Sequence, residues 1–445
     1  MLSLLTEWND APGVKDPVLA ATWARLEIRD ESAGEPRWLS QVIRSTTSSV
    51  GRGVYGSMFP LAEWIVENWW FLFHESCRVP ELSSGRLLAG NPKQRIWIQR
   101  HNLLAAREGG ALPDLTIFRD GGTLVFKWVP DPDHDESIRP VRFVGQGTAL
   151  FEPVDVERSL HQFVEAVLER LVGLADDSAD RLRENWRAIC RSREVESELC
   201  SWSASLGLDP YDEKELTDDL AEVMQSRLSK LPSDLQHDLV EVAADSTLVS
   251  DLNWLEEALS GVFVGTRTST GTRMVMPATA HQAGYDRAAH IGRQFSLPQA
   301  PIGNLPELLH EHLDWPVPEQ QIVTIEGTRA ISALAGRDRH NNPRVVGPSL
   351  GHWADRFRLA RSVYFLTDAA GSQCPRLITR AYTWDQRASR AFAAELLAPA
   401  ESLRARVGDV VSVDEVDQLA REYDVRPNLI EHQIRNRLLV EINED

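Results

Sequence analysis

The chain has 445 residues, 42% of them hydrophobic and 25% charged, with a formal net charge of −19. This length predicts two or three domains, and the composition is typical of soluble globular proteins. No apolar run approaches the roughly eighteen residues that a membrane-spanning helix needs. The excess of acidic side chains disfavours broad nucleic-acid binding, because phosphate backbones are also negative.

The cysteine pattern and the N-terminus predict a cytoplasmic location. Four cysteines lie far apart without a C-x-x-C pair, which argues against a disulfide framework or a cysteine zinc site. The first ten residues lack the basic start of a signal peptide and are interrupted by Glu7 and Asp10.

Residues 1–152 are predicted to form a mixed α/β N-terminal domain. The apolar residues of Leu61–Phe73 recur at helical spacing and predict a buried helix. Leu115–Phe118 and Leu124–Trp128 alternate with period two around Asp120-Gly121-Gly122, which predicts a hairpin. A further strand is predicted from Val141–Val144 and Ala149–Phe151.

A helical middle domain is predicted over 153–264, and a linker-like stretch follows at Gly265–Thr272. Its first helix carries an apolar stripe from Leu160 to Leu171, with Asp155 placed to cap the start. Residues 277–445 are predicted to be mostly helical with a small sheet, so the overall class is α+β. The main helices predicted there are Trp353–Thr367, Asp385–Leu397, Val413–Tyr423 and Asn428–Glu441, with strand-like pieces at Gln321–Ile325 and Arg344–Val346.

Several short motifs have ordinary structural explanations. Gly51–Gly56 matches G-x-G-x-x-G, but it follows polar sequence instead of a buried strand, which favours a loop. Pro113-Asp114 ahead of Lys127 lacks the second acid of a nuclease core, because Val125 stands at that position. The aromatic run between Trp64 and Phe73 is more typical of core than of a ligand cage.

The histidines form no zinc motif at helical spacing. On a helix, His310 and His312 point roughly 200° apart, so they cannot share a metal ion and are predicted on a solvated face. His432 lies in a helical run near Arg435 and Arg437 and is predicted at the surface.

The C-terminal third contains a more specific pattern in two parts. Arg356–Phe365 reads R-F-R-L-A-R-S-V-Y-F, and Arg390–Pro399 reads R-A-F-A-A-E-L-L-A-P. Together with a lead-in at Gly284–Asp314 and a tail at Leu419–Pro427, they resemble the ImmA/IrrE-like metallopeptidases over about 277–440. The resemblance implies a zincin-like domain, but in a degenerate form.

In that family two histidines at i and i+4 bind zinc, and the glutamate between them acts as general base. The resemblance places Arg361 at the first histidine, Ser362 at the glutamate and Phe365 at the second histidine. The third-ligand region, Trp384–Ala388, has Asp385 as its only acid. A guanidinium repels a metal ion and phenylalanine has no lone pair, so no catalytic residue, no metal and no cofactor are expected.

Arg361 is therefore expected to fill the metal position as a built-in cation paired with Asp385 or Glu395. A retained binding groove is expected around Arg361, Phe365, Asp385 and Glu395. The resulting expectation is an inactive metallopeptidase-like regulator or sensor that binds a protein or peptide. The resemblance implies a setting in bacterial stress response or defence against phage and mobile elements.

Two alternatives stay open at the level of sequence. One is an active zinc metalloprotease with substituted ligands, for example His352, His340 and an acid. The other is a transcriptional regulator assisted by a helix-turn-helix-like pair at Val413–Tyr423 and Asn428–Leu439. The net charge argues against nucleic acid, although Arg426, Arg435 and Arg437 form a local basic group. The sequence singles out no small-molecule ligand.

Overall fold

The computed structural model has an α+β fold in two compact units, Met1–Asp218 and Asp219–Asp445. It describes every residue except 12, 33, 45–48, 78–91, 108–109, 132–140, 263–278, 299, 329, 368–373 and 444–445. The predicted linker at Gly265–Thr272 lies outside the described residues. None of the described helices is both long enough and apolar enough to cross a bilayer.

The first unit combines three small antiparallel sheets with seven helices among the described residues. In chain order its elements are β1 (Leu2–Trp8), α1 (Pro17–Ala21), β2 (Trp23–Asp30), β3 (Arg37–Trp38), β4 (Val42–Arg44), β5 (Val50–Gly51), β6 (Val54–Ser57), α2 (Phe59–Glu67), α3 (Trp69–His74), α4 (Pro92–His101), β7 (Asp114–Asp120), β8 (Thr123–Val129), β9 (Val141–Phe143), β10 (Gly147–Phe151), α5 (Pro153–Arg170), α6 (Asp177–Val195) and α7 (Ser197–Leu206). The sheets are β1-β2-β3 with β6 also paired to β2, β10-β8-β7, and β5-β4-β9.

The apolar faces of these elements form one core. Alternate residues of β2 are buried, as expected for a strand with one face against the core. The stripe of α5 that includes Leu160, Phe163 and Val167 joins the same core as α2 and the β7–β8 hairpin. That hairpin and that helix confirm the predictions made from periodicity.

Three local expectations in this unit differ from the structure. Leu61–Phe73 is helical and its apolar residues are buried, as predicted, but it is divided into α2 and α3 at Asn68, whose side-chain amide donates to the Trp64 carbonyl. Gly51–Gly56 forms parts of β5 and β6 instead of a loop. At Gly53 a Cβ would lie 2.3 Å from the Leu26 carbonyl oxygen, so glycine is needed for the close approach to β2.

Asp155 does not cap α5. The N-cap residue is Glu152, whose side chain makes no capping bond, and Asp155 lies in the first turn paired with Arg158. Pro153 explains the earlier start, because proline is well suited to the first helical position.

The second unit contains eleven helices and a mixed four-stranded sheet among the described residues. Its elements are α8 (Asp218–Ser226), α9 (Ser233–Val240), α10 (Leu248–Leu259), α11 (Ala280–Gln294), α12 (Leu305–Leu313), α13 (Pro318–Gln321), β11 (Ile322–Thr324), β12 (Ile331–Arg337), β13 (Pro343–Gly347), α14 (His352–Leu366), β14 (Arg376–Thr379), α15 (Trp384–Leu397), α16 (Ala400–Arg404), β15 (Val410–Ser412), α17 (Val413–Glu422), α18 (Pro427–Gln433) and β16 (Glu441–Asn443). The sheet order is β11-β13-β12-β14, and β15 pairs with β16.

Helix α15 lies against α11 and α14 in the core of this unit. At Gly284 of α11 a Cβ would lie 2.2 Å from the Ala388 carbonyl oxygen, so the backbones of α11 and α15 approach closely. The predicted helix Asn428–Glu441 is shorter than expected: α18 ends at Gln433, a π turn follows at Ile434–Leu438, and the chain then enters β16. Leu439 adopts φ +55°, which ends the helical run.

The predicted middle domain, 153–264, does not form a unit of its own. Its helices α5 and α6 share the core of the first unit. Its later helices belong to the second unit, where Asp238 of α9 pairs with Arg376 of β14 and Trp254 of α10 donates to the Glu326 carbonyl. Helical periodicity identified these helices, but which core each one joins depends on contacts with distant residues.

Asp338, in the turn between β12 and β13, is expected to make the second unit more stable at neutral than at acidic pH. Burial alone would raise the pKa of this carboxyl, but hydrogen bonds from the Asn342 amide and Arg344 lower it from 3.8 to about 2. A lowered pKa stabilises the fold above about pH 4, and this contribution is lost as the pH falls toward 2.

Replacing Asp338 by Asn should therefore lower the free energy of unfolding by about 1–2 kcal/mol at pH 7. Urea unfolding, monitored through hydrogen exchange in β12 and β13, measures the change in the free energy of unfolding. The difference from the wild type should shrink at pH 3, and a difference that stays constant with pH would contradict the assignment.

Candidate functional site

Helix α14 carries the first half of the pattern found in the sequence. It begins after Gly351, at φ +89°, and Asp355 in its first turn accepts from the Leu350 amide at 2.9 Å. From Arg358 to Leu366 every residue is buried, so this part of the helix is enclosed on all sides, whereas its start is exposed. Three arginines, Arg356, Arg358 and Arg361, are buried with it.

The side chain of Arg361 crosses from α14 to β14 and α15. Its Nε donates to Ser389 Oγ at 3.1 Å, one terminal nitrogen donates to the Thr379 carbonyl at 3.1 Å, and the other donates to Gln386 Oε1 at 2.5 Å. All three acceptors are neutral. The guanidinium therefore joins three elements that are distant in sequence.

Gln386 is the second essential part of this arrangement. Besides bonding Arg361, its Oε1 accepts from the Thr379 amide at 3.0 Å, and its Nε2 donates to the Leu377 carbonyl at 2.7 Å. The amide thus holds the backbone of β14 and the guanidinium together. We call Arg361, Thr379, Gln386 and Ser389 the arginine brace.

The expected pairing of Arg361 with Asp385 or Glu395 is not formed. Within the described residues, no carboxylate oxygen lies within the 4.0 Å ion-pair distance of Arg361. Asp385 instead pairs with Arg376 at 2.9 Å, and Glu395 accepts from Gln433 at 2.9 Å and lies 3.5 Å from Arg437. Burial, with the nearby charge of Arg390, lowers the pKa of Arg361 to about 9, so the side chain remains charged at neutral pH.

Phe365 lies one turn after Arg361 on the same face of α14, beneath a second arginine. The Arg376 guanidinium is 5.0 Å from the centre of the Phe365 ring. Two nitrogens of Arg376 bond the two oxygens of Asp238, at 2.8 and 3.0 Å. Burial alone would lower the pKa of Arg376, but Asp238 and Asp385 raise it well above its usual value.

The expected groove is filled by this packing. Arg361 and Phe365 are 6% and 7% exposed, and Ser362 is fully buried with its hydroxyl donating to the Leu359 carbonyl. Asp385 and Glu395 keep 41% and 13% of their side-chain exposure. Of the four groove residues, Asp385 is the one with substantial access to solvent.

The histidines proposed as substitute zinc ligands lie apart in the fold. His340 is exposed in the β12–β13 turn, and His352 is exposed at the start of α14, where its Nε2 lies 2.6 Å from Asp424. His310 and His312 lie on the exposed face of α12, which confirms that prediction. In the described part of the chain, no three His, Cys, Asp or Glu side chains are grouped closely enough to hold a metal ion.

The helix-turn-helix-like segment forms α17 and α18, joined by residues 423–426 with Asp424 at φ +52°. Arg426, Arg435 and His432 are exposed. Arg437 is directed to Glu395 and lies 4.3 Å from the centre of the Tyr285 ring. Arg437, one of the three arginines of the predicted basic group, therefore packs within the second unit.

The sequence did not identify Gln386, Thr379, Ser389 or Asp238. Gln386 lies beside Asp385 in the third-ligand region. It is an amide that is isosteric with glutamate, so a search for acidic residues alone does not find it. Asp238 is 138 residues from Arg376 in the chain, so no local pattern could have connected them.

No protein-family model matches this chain, and a search of curated proteins finds no significant similarity.

Proposed function

We propose that this protein is a catalytically inactive, metallopeptidase-like regulator or sensor that binds a protein or peptide partner. The setting implied by its resemblance is bacterial stress response or defence against mobile elements. The proposal concerns the second unit, which contains both halves of the motif.

The arginine brace is the observation that carries this proposal. The residue expected at the first zinc ligand is a buried cation whose donors are occupied by Gln386, Ser389 and the Thr379 carbonyl. A cation at this place opposes metal binding electrostatically, and Phe365 offers no ligand atom. Gln386 occupies the region of the third ligand as an amide, which lacks the negative charge of a carboxylate. These features favour a retained fold without hydrolysis.

Partner binding then requires an exposed surface, because the groove residues are largely buried. The start of α14 offers one. Leu350 and Trp353 are each 45% exposed, and Trp353 Nε1 donates to Asp424 at 3.1 Å. A tryptophan held by a hydrogen bond loses little freedom on binding, and tryptophan is enriched in the energetically important parts of interfaces.

Site-specific photocrosslinking in the full chain tests the proposal. A photoreactive phenylalanine analogue at position 350, which leaves Trp353 in place, should yield a discrete crosslinked partner, and wild-type protein should compete for it. The same analogue at Tyr382, which is 52% exposed in the same unit, is the matched control. The Trp353→Ala variant should compete at least about tenfold less well, as expected when an interface tryptophan is removed.

Two results would overturn the proposal. Identical crosslinking patterns at positions 350 and 382 would show that the proposed surface does not bind the partner. Cleavage of the captured partner by the wild-type protein, stopped by a chelator, would instead favour the metalloprotease alternative.

A further inference from the structure

A cleft of about 630 Å³ opens in the first unit beside α3. We call it the α3 cleft. Its lining comes from α3, β7, α5, α6 and α7, and includes Trp69, Trp70, Phe73, Arg119, Glu157 and Glu194. The volume and the mixture of aromatic and polar groups are typical of small-ligand sites.

The floor of the α3 cleft is aromatic and rigid. Trp69, Trp70 and Phe73 are between 2% and 6% exposed. Trp69 contacts Phe73 and Trp186, with ring centres 5.0 and 5.1 Å apart. Such a floor favours a ligand with an apolar or aromatic portion.

One end of the cleft is acidic on balance. Arg193 forms an ion pair with Glu157, and its guanidinium lies 5.4 Å from the centre of the Trp69 ring. It also contacts His161 Nδ1 at 3.4 Å, and His161 Nε2 lies 4.0 Å from Glu165. With Glu194 also in the lining, this end contains two carboxylates and one guanidinium.

The other end contains a guanidinium. Arg119 of β7 contacts His74 Nδ1 at 3.4 Å and donates through Nε to the Gly121 carbonyl at 2.9 Å. His74 Nε2 lies 3.3 Å from Ser201 Oγ. Arg119 is therefore held in place beside the end of α3.

The same contacts argue for binding instead of nucleophilic catalysis. The Ser201 hydroxyl donates its proton to the Ser197 carbonyl at 2.6 Å, so it is not oriented toward a histidine base. Burial, with Glu165 and Glu194, raises the pKa of the Cys190 thiol and disfavours the reactive thiolate.

The spacing of the two ends matches a short peptide. Arg193 covers Trp69 at the start of α3, and Arg119 contacts His74 at its end. These positions are five residues apart, or about 7.5 Å along a helix. An extended peptide advances about 3.3–3.6 Å per residue, so two residues span this distance.

We propose that the α3 cleft binds a zwitterionic dipeptide with an apolar or aromatic side chain. The ligand's amino group would face Glu157 and Glu194, its carboxylate would face Arg119, and its side chain would lie on the aromatic floor. The lining contains two carboxylates and two guanidinium groups, which matches a ligand that carries one charge of each sign. This proposal is independent of the function proposed for the second unit.

Isothermal titration calorimetry with the full-length protein and alanyl-phenylalanine tests the proposal. We expect saturable one-to-one binding, weakened at least about tenfold by acetylating the amino group or by amidating the carboxylate. Glu194→Gln should weaken binding of the free dipeptide but not of the acetylated form. Arg119→Gln should weaken binding of the free dipeptide but not of the form with an amidated carboxylate.

Arg158→Gln is the matched control, because Arg158 is an exposed residue of α5 outside the cleft lining. It should bind as the wild type does. Absence of saturable binding at millimolar dipeptide would overturn the proposal, as would equal affinity for the free and the doubly capped peptide. Glu194 is exposed, so the Glu194→Gln variant should fold normally. It therefore still tests the proposal if the Arg119→Gln variant does not fold.

Discussion

Replacing Arg361 by Ala should lower the free energy of unfolding of the second unit by about 3–4 kcal/mol. The change removes three buried hydrogen bonds and leaves a cavity between α14, β14 and α15. Release of a desolvated cation offsets part of this loss, because the native guanidinium has no carboxylate partner within ion-pair distance among the described residues.

Urea unfolding, monitored through hydrogen exchange in α14 and α15, measures the decrease in the free energy of unfolding of the second unit, which contains the arginine brace. Arg404→Ala is the control, since Arg404 is exposed on α16 of the same unit and should change stability by less than about 0.5 kcal/mol. Equal effects of the two substitutions would show that the arginine brace does not stabilise the fold.

A variant that rebuilds the zinc motif should bind about one zinc ion per chain. It combines Arg361→His, Ser362→Glu, Phe365→His and Gln386→Glu. The two histidines would share one face of α14, and the contact between positions 361 and 386 places the new glutamate beside them. Elemental analysis after purification without chelator or histidine tag measures zinc in this variant and in the wild type, for which we expect almost none.

The matched control keeps Phe365 and makes the other three changes. With one histidine and one third-ligand carboxylate it should lose tight zinc binding, because structural and catalytic zinc sites need at least three protein ligands. Gln386→Glu alone tests separately whether position 386 lies beside Arg361. The new carboxylate should pair with Arg361 and leave the fold intact. A folded four-residue variant without zinc would mean that these residues do not stand at metal positions, and the proposed relationship would fail.

Local sequence determined many of the elements. The β7–β8 hairpin follows from alternating side chains around Gly121-Gly122, with Gly121 at φ +61°. The stripe of α5 and the extents of α14 and α15 follow from apolar spacing within one segment. Patterns of this kind depend on neighbours a few residues apart, so no tertiary contact is needed to read them.

The strands β12 and β14 were missed for the converse reason. Five residues of β12 and three of β14 are buried, so neither shows the polar alternation of a half-exposed strand. Their pairing, Leu334 with Leu377, joins segments separated by the whole of α14. Burial on both faces removed the local signal.

The residue types at positions 361, 362 and 365 determined that this segment contains no H-E-x-x-H motif. The tertiary structure alone decided which groups Arg361 contacts. Arg361 bonds partners 18 to 28 residues away, and Arg376 bonds Asp238 at 138 residues. A buried charge takes the acceptors that packing brings within hydrogen-bond reach, and sequence neighbours do not specify which groups those are. The acids nearest in the pattern, Asp385 and Glu395, pair instead with Arg376 and Arg437.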